Sequence, residues 1–231
     1  MAPINKKKQE WLPKDVAAIR KCIRQFMDIK TENGKQIGSS RFGVYAFYDY
    51  DGEPIYVGQT RESLRQRVGR HLTNQRTDAV AMNVLDPFEV AEIEVWPLWD
   101  MENRKSSDPE VAASLNRAEF TAFQQALNAS AFGAVLNEKD IARVDEIELP
   151  RSYRGRIIPD DLYESRKHPD VRIARRASTI ANLARVISER DVSKGLRRTL
   201  QTQAKRLERL ASERFNQVGG TIPLAVPGQD D

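Results

Sequence analysis

Between Phe42 and Leu72 the spacing of apolar positions changes period. Val44-Tyr45-Ala46-Phe47-Tyr48 and Ile55-Tyr56-Val57 are short β-branched and aromatic runs separated by Asp49-Tyr50-Asp51-Gly52, which predicts a β-hairpin closed at an Asp-Gly turn. After Gly58 the period becomes helical. Thr60 reads as an N-cap, Leu64, Val68 and Leu72 recur every four positions, and Arg67 and His71 share the neighbouring ridge. Asn83 to Pro87 reads as a bend into Phe88–Leu98, whose alternation (Phe88, Val90, Ile93, Val95) predicts a third strand. Asp108-Pro109 then opens a helix reaching Leu127, with Ala112, Leu115, Ala122, Phe123 and Ala126 as its stripe. Glu119 is four positions from both Leu115 and Phe123, so it points with them. A carboxylate on a core-facing stripe requires a cation, either an arginine or a metal, because an unpaired buried charge costs several kcal/mol.

The flanks are helical. Before the hairpin, Pro13 suits a first turn, Val16, Ile19, Ile23, Phe26 and Met27 form a stripe that packs on the sheet, and Asn33-Gly34 ends the segment. After it, Leu149 to Asp170 carries three prolines and reads as a linker. Ile173, Ala177, Ile180, Ala184 and Ile187, then Leu196, Leu200, Leu207, Leu210 and Phe215, mark two helices that turn near Asp191-Val192 into an antiparallel hairpin. The expected fold class is α+β, a small antiparallel three-stranded sheet flanked by helices with a C-terminal α-helical hairpin. Its expected divisions are a helical extension (1–40), an α+β core (41–149), a linker (150–170), the hairpin (171–218) and a disordered tail (219–231).

Charge alters this picture more than bulk composition does. Between Arg151 and Val218 seventeen Lys and Arg face eight Asp and Glu, a net of +9, so the rest of a chain whose total is +4 carries −5. That split predicts a polyanion-binding arm built on Arg197, Arg198, Lys205 and Arg206, assisted by Arg61 and Arg70 in the core, and separable from the core near Pro150. The same hairpin offers Leu196, Leu200, Leu207 and Leu210 as a homodimer seam. One cysteine, Cys22, and two histidines exclude a disulfide framework and a Cys/His zinc module. No run is long and apolar enough for a membrane span or secretory signal, which predicts a cytoplasmic protein.

Gly43-Val44-Tyr45 and Tyr56-Val57-Gly58, with their tyrosines eleven positions apart and Leu64-x-x-Arg67-x-x-x-His71 following, resemble the two half-motifs and helix of the GIY-YIG endonuclease family over roughly residues 42–138. The resemblance implies a nuclease that cuts DNA, most simply duplex, with Mg²⁺ or Mn²⁺ held by Glu119. By the same resemblance Tyr45 orients or deprotonates the attacking water, Tyr56 helps place nucleophile or phosphate, and Arg67 offers a guanidinium fork. Asn137, with Asn128 as its competitor, takes the place of the asparagine that closes the core. A tyrosine with a pKa near ~10 is a weak base at neutral pH, so Tyr45 needs a cation or proton acceptor, and His71 one turn beyond Arg67 is placed for that. The size and layout are similar to the short type II restriction enzymes of this family, then to mobile-element and phage nucleases. RNA or structure-specific cutting, or a non-catalytic binding or assembly role on the same core, are the rival expectations. Two departures stand out: nine positions separate Gly58 from Arg67 where relatives have eight, and Gln59-Thr60-Arg61 stands where many carry a lysine.

Overall fold

A computed structural model of the chain describes residues 13–72, 86–137 and 140–220. Lys6 to Lys8, the Asn74 to Leu85 stretch and the tail from 221 onward lie outside the described residues.

Helix α1 (Lys14–Met27) buries Ile23, Phe26 and Met27. The hairpin forms as β1 (Gly43–Tyr48) and β2 (Pro54–Thr60), with Tyr45 opposite Gly58 and Phe47 opposite Tyr56. Gly52 closes the turn at φ 74°, a left-handed conformation that glycine adopts without a Cβ penalty. Thr60 is the last residue of β2, paired with Gly43, and therefore not a helix cap. Helix α2 (Leu64–Leu72) starts later, with the Ser63 hydroxyl accepting from the Gln66 N–H at 3.3 Å.

Strand β3 (Glu92–Pro97) pairs antiparallel with β1, and Tyr45 faces Val95. Phe88 is not part of it. Pro87–Glu89 forms a 3₁₀ turn capped by Asp86, which leaves the Phe88 ring exposed. The sheet has four strands rather than three, in the order β2-β1-β3-β4, because Tyr153–Arg156 adds β4 to the edge of β3. Tyr-Arg-Gly-Arg has no apolar alternation to announce a strand. What places it is Gly155, where a Cβ would sit 2.9 Å from the Phe26 ring, so that α1 and β4 pack directly on each other. The expected linker thus holds a strand and a helix, α4 (Asp160–Lys167), given that α3 spans Pro109–Ala129.

β1 is buried on both sides, its residues shared between two clusters. On one face Tyr45 and Phe47 meet Ile93 and Val95 under α1 and α2, and on the other Val44 and Ala46 meet Val57, Trp96 and the alanines of α3. Helices α5 (Pro169–Glu189) and α6 (Lys194–Gln217) form the expected hairpin, joined through Leu183, Val186 and Leu196. Leu196 and Leu210, expected in a dimer seam, are buried within the chain itself.

The hairpin is no free basic arm, however. Arg172, Arg176 and Arg206 are buried against the core, where their Nη2 atoms lie 3.3, 2.8 and 3.3 Å from Asp49 Oδ2. Arg176 also donates to Glu89 at 2.9 Å, Arg172 to Asp51 at 2.6 Å, and Arg175 to Asp86 at 2.8 Å. Much of the +9 is therefore spent on the acidic core.

Candidate active site

The candidate site lies at the outer edge of β2, where side chains from both faces of the sheet meet. Tyr45 projects from β1 onto the α2 side, and its hydroxyl accepts from Arg67 Nε at 3.1 Å while sitting 3.3 Å from His71 Nδ1. The spacing of four between Arg67 and His71 puts both on one ridge of α2, which is why a single phenol reaches both. Tyr56 completes the group, stacked near Tyr45 with centroids 6.0 Å apart and edge-on to His71 at 4.5 Å. Burial pushes the Tyr45 hydroxyl above its ordinary value, opposed by the Arg67 charge and hydrogen bond and by a hydrogen bond from Tyr56. At rest it is a neutral phenol.

Gly58 makes this packing possible. A Cβ there would lie 2.8 Å from Tyr56 Cε1 and 2.9 Å from Tyr45 Oη. Gly58→Ala is therefore expected to push both rings aside. A displacement of about 1 Å in a catalytic group costs on the order of 10²-fold in rate, and overpacking of this kind about 1–3 kcal/mol in stability. Paired turnover and thermal-melting measurements check this, and unchanged turnover would show that the ring positions do not matter.

From the other face α3 brings Glu119. Its Oε2 accepts from Gln59 Nε2 at 2.9 Å, and the same nitrogen donates to Asn116 Oδ1 at 2.8 Å. Burial drives the Glu119 carboxyl above the usual carboxylate range, with the Gln59 hydrogen bonds and the Arg67 charge pulling it back. A cleft of about 270 Å³ opens here, lined by Tyr56, Asn116, Glu119, Asn137, Asp140 and Ile141. Gln59 and Asn116 were not legible as site residues. Gln59 stands where the lysine was missed, and strand alternation could have shown that it faces α3.

The donor set fits a divalent cation that keeps most of its water. Two carboxylates line the cleft, Glu119 and the Arg198-paired Asp140, with amide oxygens beside them, and no group of three or more acidic, histidine or cysteine side chains that could hold a metal ion occurs among the described residues. Gln59 Oε1 is buried next to Glu119 without a hydrogen-bond donor, as an acceptor for cation-bound water would be.

The remaining expected residues separate. Asn137 lines the cleft, and its amide is tied to the β2 edge, accepting from Val57 N at 3.1 Å and donating to Val57 O at 2.7 Å. Its competitor Asn128 is exposed near the end of α3. Arg206, expected on nucleic acid, is buried at 2 % exposure and cannot reach a ligand from there. Arg198 pairs with Asp140 at the rim of the cleft, and Arg70 with Glu62. Arg61, Arg197 and Lys205 are exposed.

Among the described residues no helix is long and apolar enough to cross a membrane. Neither a curated protein nor a solved structure matches the chain. The family model of the GIY-YIG catalytic domain matches residues 41–101, a span that includes Tyr45, Tyr56, Arg67 and His71 and stops before Glu119. With β1, β2 and α2 bringing the four of them together inside the matched span, residues 41–101 form a GIY-YIG catalytic domain.

Proposed function

We propose that this protein is a divalent-cation-dependent endonuclease that hydrolyses DNA phosphodiester bonds. The observation that carries this reading is the Arg67–Tyr45–His71 chain beside the Glu119 cleft. Arg67 donates to the Tyr45 oxygen, so the phenol's single hydrogen is available to an acceptor, and His71 Nδ1 is within 3.3 Å in the tautomer that leaves it unprotonated. As Tyr45 takes a proton from the attacking water, its own proton passes to His71, and the Arg67 charge stabilises the oxygen through which both move. The guanidinium nitrogens not bound to Tyr45 offer the scissile phosphate a planar donor fork. Tyr56, packed on Tyr45 and lining the cleft, narrows the space in which water and phosphate meet. Glu119, oriented by Gln59, and Asn116 would hold Mg²⁺ or Mn²⁺, which when bound supplies positive charge to the phosphoryl oxygens and the departing oxyanion. The small core with helical flanks is similar in layout to an enzyme of the restriction type.

Incubation of the purified protein with supercoiled plasmid, single-stranded DNA and RNA tests this reading. Nicking or linearisation of plasmid with Mg²⁺ or Mn²⁺ and none in EDTA is expected; failure to cut any substrate overturns it. Arg67→Lys keeps the charge but loses both the fork and the Nε donor to Tyr45, so turnover should fall by roughly 10²–10³-fold, the usual loss on removing one charge-stabilising donor. Wild-type turnover in that variant would make Arg67 structural.

A further inference from the structure

On the flank of α2 away from Tyr45 runs a groove of about 470 Å³ that the catalytic residues do not use. Its described lining includes Arg20 and Arg24 from α1, Arg65, Gln66 and Arg70 from α2, and Glu62 at the start of that helix. Four guanidiniums face one carboxylate. Arg65 is tied down, donating to Met27 O at 3.1 Å and to Asp28 at 2.7 Å, and Arg70 pairs with Glu62. Neither Arg20 nor Arg24 has an ion-pair partner among the described residues, and Arg20 Nε is buried with no acceptor. A desolvated guanidinium donor without an acceptor is an unfavourable arrangement that an anionic oxygen would relieve. Planar forks set side by side along a groove match a row of phosphates better than a single anion.

The position narrows the ligand further. Arg70 follows Arg67 by three residues, so the two are neighbours on the helix surface, one turned to the catalytic cluster and the other to the groove. The hairpin offers less: Arg206 is buried and Arg198 is held by Asp140. We propose that the α1–α2 groove carries the sugar-phosphate backbone flanking the scissile phosphate, with Arg20 and Arg24 as its phosphate contacts. This rests on reading the neighbouring site as a nuclease, which sets where that strand begins.

The test is a salt titration of binding by the full chain in EDTA, using labelled mixed-sequence duplex and the corresponding single strand. Arg20→Gln/Arg24→Gln should lower the log–log salt slope by about 1.8 on duplex and about 1.4 on single strand, at ~0.9 and ~0.7 per lost contact. Affinity near ~0.1 M salt should drop by roughly 10–100-fold. Arg197→Gln/Lys205→Gln on the exposed side of α6 should leave the slope unchanged. A wild-type slope in the groove variant, or a reduced slope in the α6 variant alone, overturns the proposal. If the double variant melts early, Arg24→Gln by itself should still lower the duplex slope by about 0.9. Plasmid cleavage on the same preparations separates the two readings. A chain that never cuts but loses slope as stated keeps the groove and loses the nuclease reading, whereas one that cuts with an unchanged slope loses only the groove.

Discussion

Glu119→Gln should bind DNA in EDTA as tightly as the parent and fail to cut it in Mg²⁺. The variant keeps the shape of the side chain and an oxygen to accept from Gln59, so the cleft should stay intact while the only cleft-facing charge on α3 disappears. A bound metal supplies several kcal/mol of charge stabilisation, and each ~1.4 kcal/mol is tenfold in rate, so the loss should be about 10³-fold or more. Stability should move the other way. Burial raises the Glu119 carboxyl in the folded state, so its contribution is favourable below the unfolded value and is lost as pH rises through the folded one. At neutral pH the ionised group is therefore a burden, and the glutamine variant should melt slightly higher. In the parent, cleavage should fade on acidification before an ordinary carboxylate would titrate, and added Mg²⁺ should restore it, because proton and cation compete for one group. A melting temperature that drops, together with retained Mg²⁺-dependent cutting, would make Glu119 a structural carboxylate.

Asp49→Asn should cost about 3–5 kcal/mol, the loss expected when one partner of a buried ion pair is removed and charges are left behind. The carboxylate is fully buried and its two oxygens have different tasks. Oδ1 accepts from the backbone N–H groups of Asp51 and Glu53 at 2.9 and 3.0 Å, which shapes the β1–β2 turn, while Oδ2 collects Arg172, Arg176 and Arg206 from two helices. Asparagine can retain the first task but not the second. For a chain of this size such a loss lowers the melting temperature by roughly 6–20 °C, at about 2–4 °C per kcal/mol. Asp51→Asn, at a half-exposed carboxylate, should cost no more than about 1 kcal/mol. Equal melting of the two variants would mean that Oδ2 does not anchor the hairpin. The same cluster corrects the expectation that a fragment ending near Pro150 folds: that cut removes β4 from the sheet and all three guanidiniums from Asp49.

What the sequence by itself determined is the local chemistry. Alternation placed β1 and β2, the Asp-Gly pair placed their turn, and a spacing of four put Arg67 and His71 on one ridge of α2, because these signals depend only on a residue's near neighbours. Glu119 was legible for the same reason, as a charge on an apolar stripe. What only the tertiary structure decided are the pairings between segments far apart in the chain. β4 is a strand because β3 has a free edge and Gly155 admits Phe26, and nothing in Tyr-Arg-Gly-Arg foretells it. Gln59 became part of the site through Glu119, sixty positions away, and Asn137 is held at the cleft by the Val57 backbone, eighty positions earlier. Net charge misled most: counting Lys and Arg in the C-terminal helices cannot show which are neutralised, and Arg172, Arg176 and Arg206 are turned inward by Asp49, more than 120 positions earlier. A charge count is additive along the chain, whereas the field a ligand meets depends on which charges the fold has already paired.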